Sequence, residues 1–326
     1  MTRCPDFTHL LVLPHLRVQN ANAISSPLTH GFPALTAFAG LMWALARKTS
    51  ADGLDLAFKA VGVVCHDHQE QVSDGGYVKA FCLSRNPVGK DGKTAAIVEE
   101  GRIHLDLSLV LAVQSEHWRR EPEAQQADSA RIAELLSTMR VAGGTLLPSS
   151  PRYRPYVIDM TGAEEDRQAV FRKTRLRLLP GFTLVARDDL LDQRLTTLQA
   201  ENPDATRLDA WLSLSRINWR CQAESDAANE GKWLHDRDGL GWVVPIPVGY
   251  GALGELHPPG TVANTRDTDT PFRFVESLYS AGEWISPHRL DSPREMLWYA
   301  DSPPEDGLYR LRNDYRRASQ YAIDFD

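Results

Sequence analysis

Between Ile103 and Val113 every second residue is aliphatic: Ile103, Leu105, Leu107, Leu109, Leu111 and Val113. A sustained period of two means a long β-strand with one face buried, and a helix cannot satisfy it. A strand of that length needs partners. Leu10, Val12, Leu16 and Val18 supply one, with Pro14 breaking the series, as expected of a half-buried edge strand. Phe58 to His66, rich in valine, and Tyr77 to Ser84 read as further strands.

Two helices are predicted between them. Gly31-Phe32-Pro33 introduces one from about Ala34 to Lys48, where Leu35, Phe38, Leu41, Met42 and Leu45 recur on one face. Pro122 starts another that runs to about Arg140, with Ile132, Leu135, Leu136 and Met139 inward. Gly143-Gly144 ends it before a short strand, Thr145 to Leu147. An insertion at about 69–102, centred on Tyr77 to Gly101, leaves the order strand–helix–strand–strand–helix–strand. The expected class is therefore α+β, with a ferredoxin-like, RRM-like core over residues 1–150.

Residues 151–326 read differently. From 163 to about 217 the pattern is mainly helical, including Asp188 to Glu201 and Leu208 to Leu214. The residues between Cys221 and Lys232 read as a flexible polar loop. Nine of the 20 prolines fall between Trp242 and Pro304, which predicts irregular extended segments with short strands such as Phe272 to Ser280. Such a part suits a surface that wraps a neighbour.

Composition limits the function classes. With 326 residues, 42% hydrophobic and 24% charged, the chain has enough apolar surface for a real core, so wholesale disorder is excluded. The longest largely apolar stretch, Leu35 to Ala46, contains Gly40 and falls short of the roughly 20 residues a membrane span takes. No charged hydrophobic leader is evident, and Cys4, Cys65, Cys82 and Cys221 have no paired spacing, so a reducing cytoplasm is expected. A net charge of −7 disfavours a protein that coats DNA by bulk electrostatics. Local basic grooves survive that argument. Arg167, Arg172, Lys173, Arg175 and Arg177 form one cluster and Arg310, Arg312, Arg316 and Arg317 a second; either would also serve as a solvated face.

Several chemistries can be weighed from spacing. Gly249-Tyr250-Gly251-Ala252-Leu253-Gly254 spells a dinucleotide fingerprint, but prolines flank it where a parallel strand and a helix are required. Cys65-His66-Asp67-His68 is the densest set of potential metal ligands; residues 66 and 68 of a strand would share a face, but no second cluster exists, and no metal is expected. No G-x-S-x-G is present for serine catalysis. A metal-independent ribonuclease would need a base and a cation at one phosphate, with His104, Lys93 and Tyr77 as candidates. Binding of single-stranded RNA is the better match. Asn20, Asn22, Ser25 and Ser26 offer amides and hydroxyls, the glycines allow close approach, and Arg85, Arg102, Arg140, Arg175 and Arg177 would hold phosphates. Taken one by one, the same asparagines, serines and glycines are more simply read as ordinary turn and cap chemistry.

A family resemblance sharpens this. The strings carrying it are Gln19 to Thr29 with Gly31-Phe32-Pro33, Thr94 to Arg102, Leu178-Leu179-Pro180-Gly181-Phe182, Val244-Pro245-Ile246-Pro247 with Gly249-Tyr250, Arg273-Phe274-Val275-Glu276, and Gly282-Glu283-Trp284 with Ser286-Pro287-His288-Arg289. In this order, from about residue 10 to 310, they resemble the second Csy subunits, the Cas-five-like RAMP proteins of type I-F CRISPR surveillance complexes. The resemblance implies an RRM-like core with an inserted thumb-like region and an added C-terminal part. It also implies a non-catalytic, cofactor-free subunit that grips the 5′ handle of the CRISPR RNA. Its expected partners are the large first Csy subunit, the third Csy subunit that ends the backbone, and target DNA through the complex. By matching motif, Asn20, Asn22, Arg102, Arg273, His288 and Arg289 become handle or interface candidates. Two departures stand out: Leu176 separates Arg175 from Arg177 where the family pattern has adjacent arginines, and Asp67-His68 is an unusual continuation of Cys65-His66. A metal-independent endoribonuclease and a purely protein-bridging subunit remain the alternatives.

Overall fold

The computed structural model describes residues 3–89, 91–222, 232–303 and 306–316. Most of the polar loop expected between Cys221 and Lys232, and Arg317 of the second basic cluster, lie outside these residues. The fold is α+β, built on a large antiparallel sheet.

The first part of the chain runs β1 (His9–Asn22), α1 (Leu35–Ala51), β2 (Ala57–Glu70), β3 (Arg102–Gln114), α2 (Ala124–Ser137) and β4 (Gly144–Leu146). These strands lie side by side in the order β4–β1–β3–β2, every pair antiparallel. The alternation in β3 does what its period demands. Ile103, Leu105, Leu107, Leu109, Leu111 and Val113 all pack into one cluster with Phe38, Met42 and Leu45 of α1 and Ile132 and Leu136 of α2. Both helices therefore cover the same face.

β1 is not the edge strand its proline suggested. It lies inside the sheet, between β3 on one side and β4 and β5 (Tyr156–Asp159) on the other. Leu11 and Leu13 enter the helix-side cluster, whereas Leu10 and Val12 enter a second cluster on the opposite face. Pro14 is tolerated because it falls in a register shift between Leu13 and Leu16, where a bulge removes the need for its missing donor, and His15 takes φ 49°. The second face is covered at this end by α3 (Glu164–Arg177), through Phe171 and Leu178.

The remaining elements are β6 (Phe182–Ala186), α4 (Asp188–Glu201), α5 (Arg207–Leu214), β7 (Val243–Ala252), β8 (Val275–Ile285), β9 (Trp298–Asp301) and β10 (Leu308–Asn313). Their strands extend the sheet from β2 as β9, β10, β7, β8 and β6, and β6 then returns to pair with β2 through Phe182↔Cys65 and Thr183↔Val64. Six strands thus close a ring that shares β2 with the first sheet.

The stretch 163–217 is mainly helical as read, with one strand, β6, between its helices. The proline-rich part needs correction: it holds the long strands β7 and β8 rather than irregular chain with short strands. Pro245 and Pro247 fit in β7 because β10 pairs with it only from Gly249 onward, so the missing N–H groups face an open edge. Gly249 itself is constrained: a Cβ there would lie 1.9 Å from the Tyr309 carbonyl oxygen. Gly249→Ala is expected to force β7 and β10 apart and lower stability by at least about 1–3 kcal/mol. Gly254→Ala, with open space at its Cβ, should leave the thermal midpoint unchanged. The G-x-G-x-x-G string is thus the end of an antiparallel strand, with no helix after it.

The insertion is a small antiparallel sheet of its own: Val72–Asp74, Lys79–Arg85 and Ile97–Glu100. It leaves Tyr77, Val78, Leu83, Val88 and Ile97 exposed, an apolar finger outside the core.

Candidate nucleic-acid interface

Beyond the part covered by α3, the sheet face opposite α1 and α2 is open and polar. Alternation in β3 places His104 and Asp106 there, back to back with Leu105 and Leu107. Register then builds rows across strands: Asp67, Asp106 and Arg17 in one, and Gln69 with His104 in the next. On the far side Gln19 pairs with Thr145, and Thr145 with Arg140; Asn22 pairs with Arg102. Asn20, Asn22, Arg102 and Arg140 are therefore gathered at one end of one sheet.

Their local roles differ. Asn20 sits at φ 57°, in the register shift of β1, and its backbone N–H donates to His104 Nδ1 at 3.1 Å. That bond makes Nδ1 the acceptor and leaves Nε2 as the ring's donor. Asn22 uses its side chain on the turn, donating to the Ile24 carbonyl at 2.7 Å and accepting from the Ile24 N–H at 3.1 Å. Ser25 and Ser26 are likewise engaged with Thr29 Oγ1, at 2.8 and 2.6 Å. Arg102 is half exposed and paired with Glu100 at 2.9 Å. Arg140 is exposed and donates to the Gly143 carbonyl at 3.2 Å. Gly144 provides close approach, but to the chain itself, since a Cβ would meet the Ala21 nitrogen at 2.7 Å.

A ring stack continues this face. His15 lies between His66, at 4.1 Å, and Tyr153, at 3.9 Å, with the Arg152 guanidinium 4.6 Å above Tyr153. His15 Nδ1 meets Asp106 at 3.0 Å. His66 spends both ring nitrogens, on the Pro180 carbonyl at 2.6 Å and Ser108 Oγ at 2.7 Å. Burial, opposed by the Pro180 contact, holds the His66 imidazole below the ordinary histidine range. Burial, with Asp67 and Asp106 nearby, pushes the Cys65 thiol up to about 12. The expectation that His66 and His68 share a face also fails, because a register shift between Cys65 and Asp67 breaks the alternation at His66. Among the described residues no three His, Cys, Asp or Glu side chains are placed to hold a metal ion.

The other sequence candidates lie elsewhere. Arg175, at the end of α3, donates to the Leu290 carbonyl, and Arg177 covers the Tyr156 ring at 3.8 Å. His288 and Arg289 occupy the 3-10 turn Pro287–Arg289 beside Leu290, where His288 Nδ1 contacts Ser286 Oγ at 2.8 Å. These four make a second group. Arg85 ends the middle strand of the insertion and is exposed. Arg273 is partly buried, and a Cβ on Gly307 would touch its guanidinium at 2.8 Å. Tyr77 and Lys93 flank opposite ends of the strand Lys79–Arg85, which spans roughly 20 Å. They do not converge with each other.

An aromatic cleft of about 440 Å³ that no sequence motif announced lies at the mouth of the six-strand ring. Phe32, Phe182, Trp242 and Trp284 line it; Phe32 meets Trp284 edge-on at 4.9 Å and Phe182 meets Trp242 at 5.6 Å. Its walls come from Gly31-Phe32-Pro33, Phe182, Val244 to Pro247 and Trp284, four of the strings on which the resemblance rests. Their shared aromatic and proline content was the available signal.

No helix among the described residues is long and apolar enough to cross a membrane. The family described as CRISPR-associated protein (Cas_Csy2) matches residues 11–311. The chain is similar to CRISPR-associated protein Csy2 of Pseudomonas aeruginosa (strain UCBPP-PA14), 46% identical over 310 residues, which are 92% of this chain and 94% of that one. With nearly the whole length matched on both counts, the chain belongs to the Csy2 family, the second Csy subunits of type I-F CRISPR complexes.

Proposed function

We propose that this chain is a non-catalytic RNA-binding subunit that grips the 5′ handle of the CRISPR RNA in the cytoplasm. In this reading it joins the large first Csy subunit to the end of the third-Csy backbone, and meets target DNA through the complex. Its core is ferredoxin-like and RRM-like: the order β4–β1–β3–β2, with both helices on one face, supports that assignment. The observation that carries the function is the open face itself. RRM-like proteins bind single strands on the sheet face their helices leave free, using ring stacking and amide or guanidinium contacts. Here that face carries the His15–Tyr153 stack, His104, and the arginines Arg102 and Arg140 beside the Asn20 bulge.

The test uses the chain with its large-subunit partner and an end-labelled repeat-derived RNA, over a salt series without metal. Intact RNA should be retained, and lost when the 5′ handle is deleted. Arg102→Glu with Arg140→Glu should weaken retention at least about tenfold and make the log–log salt slope shallower by about 1.4, two contacts at roughly 0.7 each. A slope unchanged by the double substitution refutes the reading. Cleaved RNA that becomes intact with His104→Ala would establish the endoribonuclease instead.

A further inference from the structure

A second polar basin lies on the far side of the ring, beside α4 and α5. These helices pack through Leu190, Leu191, Ala210, Trp211 and Leu214, and the Trp211 indole N–H donates to the Ser280 carbonyl of β8 at 3.0 Å. The helix pair is therefore anchored to the sheet. The chain leaves α5 through Arg216 and enters a hairpin, Trp219–Gln222 with Lys232–His235.

Between helices and hairpin is a cavity of about 340 Å³ into which three guanidinium-bearing residues, Arg194, Arg216 and Arg220, converge. Thr197, Ser213 and Asn218 add hydroxyl and amide groups to its wall. Two carboxylates share the basin. That of Asp236 is already occupied, accepting from the Asn218 backbone at 3.1 Å and from its side chain at 2.7 Å. Glu201 is the other. Arg194 donates to the Asp236 carbonyl at 2.9 Å, which fixes its position. Arg216 and Arg220 are exposed, and their guanidinium groups make no hydrogen bond or ion pair with the described residues, unlike that of nearby Arg207, which pairs with Asp192 at 2.9 Å.

The hairpin's other face is aromatic. Its register sets Trp219 opposite His235 and Cys221 opposite Trp233, so by alternation these four share one face and Arg220 lies on the other. Trp219 and Trp233 are 58% and 62% exposed, although indoles of that size are ordinarily largely buried. Unpaired guanidinium groups in a donor-rich hollow, with exposed indoles on the reverse face of the same hairpin, are a combination that holds a single-stranded backbone while bases further along the strand stack. A flat apolar protein interface would not need the hollow.

We propose that this basin binds a phosphodiester of a single-stranded nucleic acid through Arg194, Arg216 and Arg220, and that Trp219 and Trp233 stack bases further along the same strand where it crosses to the hairpin's other face. It is a site separate from the open sheet face that carries the proposed handle grip. A ribose or deoxyribose strand presents the same phosphodiester, so both are tested.

The probes are fluorescein-labelled dodecauridylate and dodecathymidylate, titrated by anisotropy against the full chain over a salt series. Arg216→Glu with Arg220→Glu should weaken binding at least about tenfold and make the slope shallower by about 1.4. Trp219→Ala and Trp233→Ala should each weaken it at least about fivefold. Glu201→Gln should tighten it, an effect that unfolding cannot mimic. With 5-iodouracil in the probe, photocrosslinks should map to Trp219 or Trp233. An effect on one probe alone identifies which strand the site takes. Wild-type affinity in the arginine and tryptophan variants, with crosslinks elsewhere, overturns the proposal. If only Arg102→Glu with Arg140→Glu then reduces binding, the handle reading stands while this one falls. Variants that bind both probes normally but lose the large subunit would make the hairpin a protein contact instead.

Discussion

Replacing Arg187 with alanine is expected to remove about 3–5 kcal/mol of folding stability, because it strands a buried carboxylate. Arg187 is 2% exposed, and its guanidinium donates to Glu283, which is 5% exposed, on β8. It also grips Asp189 in the first turn of α4 with two bonds of 2.9 Å. Its own N–H reaches the Ala281 carbonyl, so one residue fastens the end of β6, the start of α4 and β8. Burial would raise the Asp189 carboxyl, but the Arg187 hydrogen bonds and charge outweigh it and hold it below the ordinary range. That contribution is present above the usual aspartate range and is lost as pH falls through the depressed value. Alanine deletes it too. Urea denaturation at neutral pH reads the loss directly. Arg187→Met with Glu283→Leu, which removes both buried charges, should recover most of it, since the isolated charge and not the missing contact is what destabilises. A single variant as unstable as the double one would contradict that account.

How far the chain announced this structure depends on the range of the interactions. The alternation of β3 and the inner face of α1 are local patterns, and both appear as read, within a few residues at their ends. The ring was not legible. Its closing pairs, Phe182 with Cys65 and Trp298 with Val61, join residues far apart in sequence, and no local period encodes them. Proline density pointed to irregular chain because the rule assumes a strand paired on both sides, whereas β7 is open where its prolines lie.

The candidate site shows the same division. Asn20, Asn22, Arg102 and Arg140 were picked one by one, and register across β1, β3 and β4 is what gathers them. Arg175 and Arg177 belonged to the most conspicuous basic run, but they lie at the end of α3, engaged with Leu290 and Tyr156. The His15–Tyr153 stack was invisible because a bulge, not a motif, turns His15 toward it. Trp219 and Trp233 needed the hairpin register before their shared face had meaning.

Trp298→Ala should be comparably severe, lowering stability by about 3–5 kcal/mol. Trp298 is 1% exposed, pairs with Val61 of β2 on one side and Asn313 of β10 on the other, and lies in the helix-side cluster. Its indole N–H donates to the Leu184 carbonyl of β6 at 2.8 Å, so three strands of the ring meet at one side chain. Trp298→Phe keeps most of the apolar volume and loses that bond, leaving the Leu184 carbonyl unsatisfied, for about 1–3 kcal/mol. Trp43→Ala, at a side chain already 40% exposed, should shift the urea midpoint far less. The order Ala, then Phe, then the Trp43 variant is the check, and equal losses for Trp298→Ala and Trp43→Ala would refute it. Because β2 belongs to both the ring and the sheet, opening the ring at Trp298 also releases one edge of the open face. RNA retention by Trp298→Ala should therefore fall with temperature in step with its melting. Arg102→Glu with Arg140→Glu should lose retention while melting as the wild type does, which separates a weakened frame from a weakened contact.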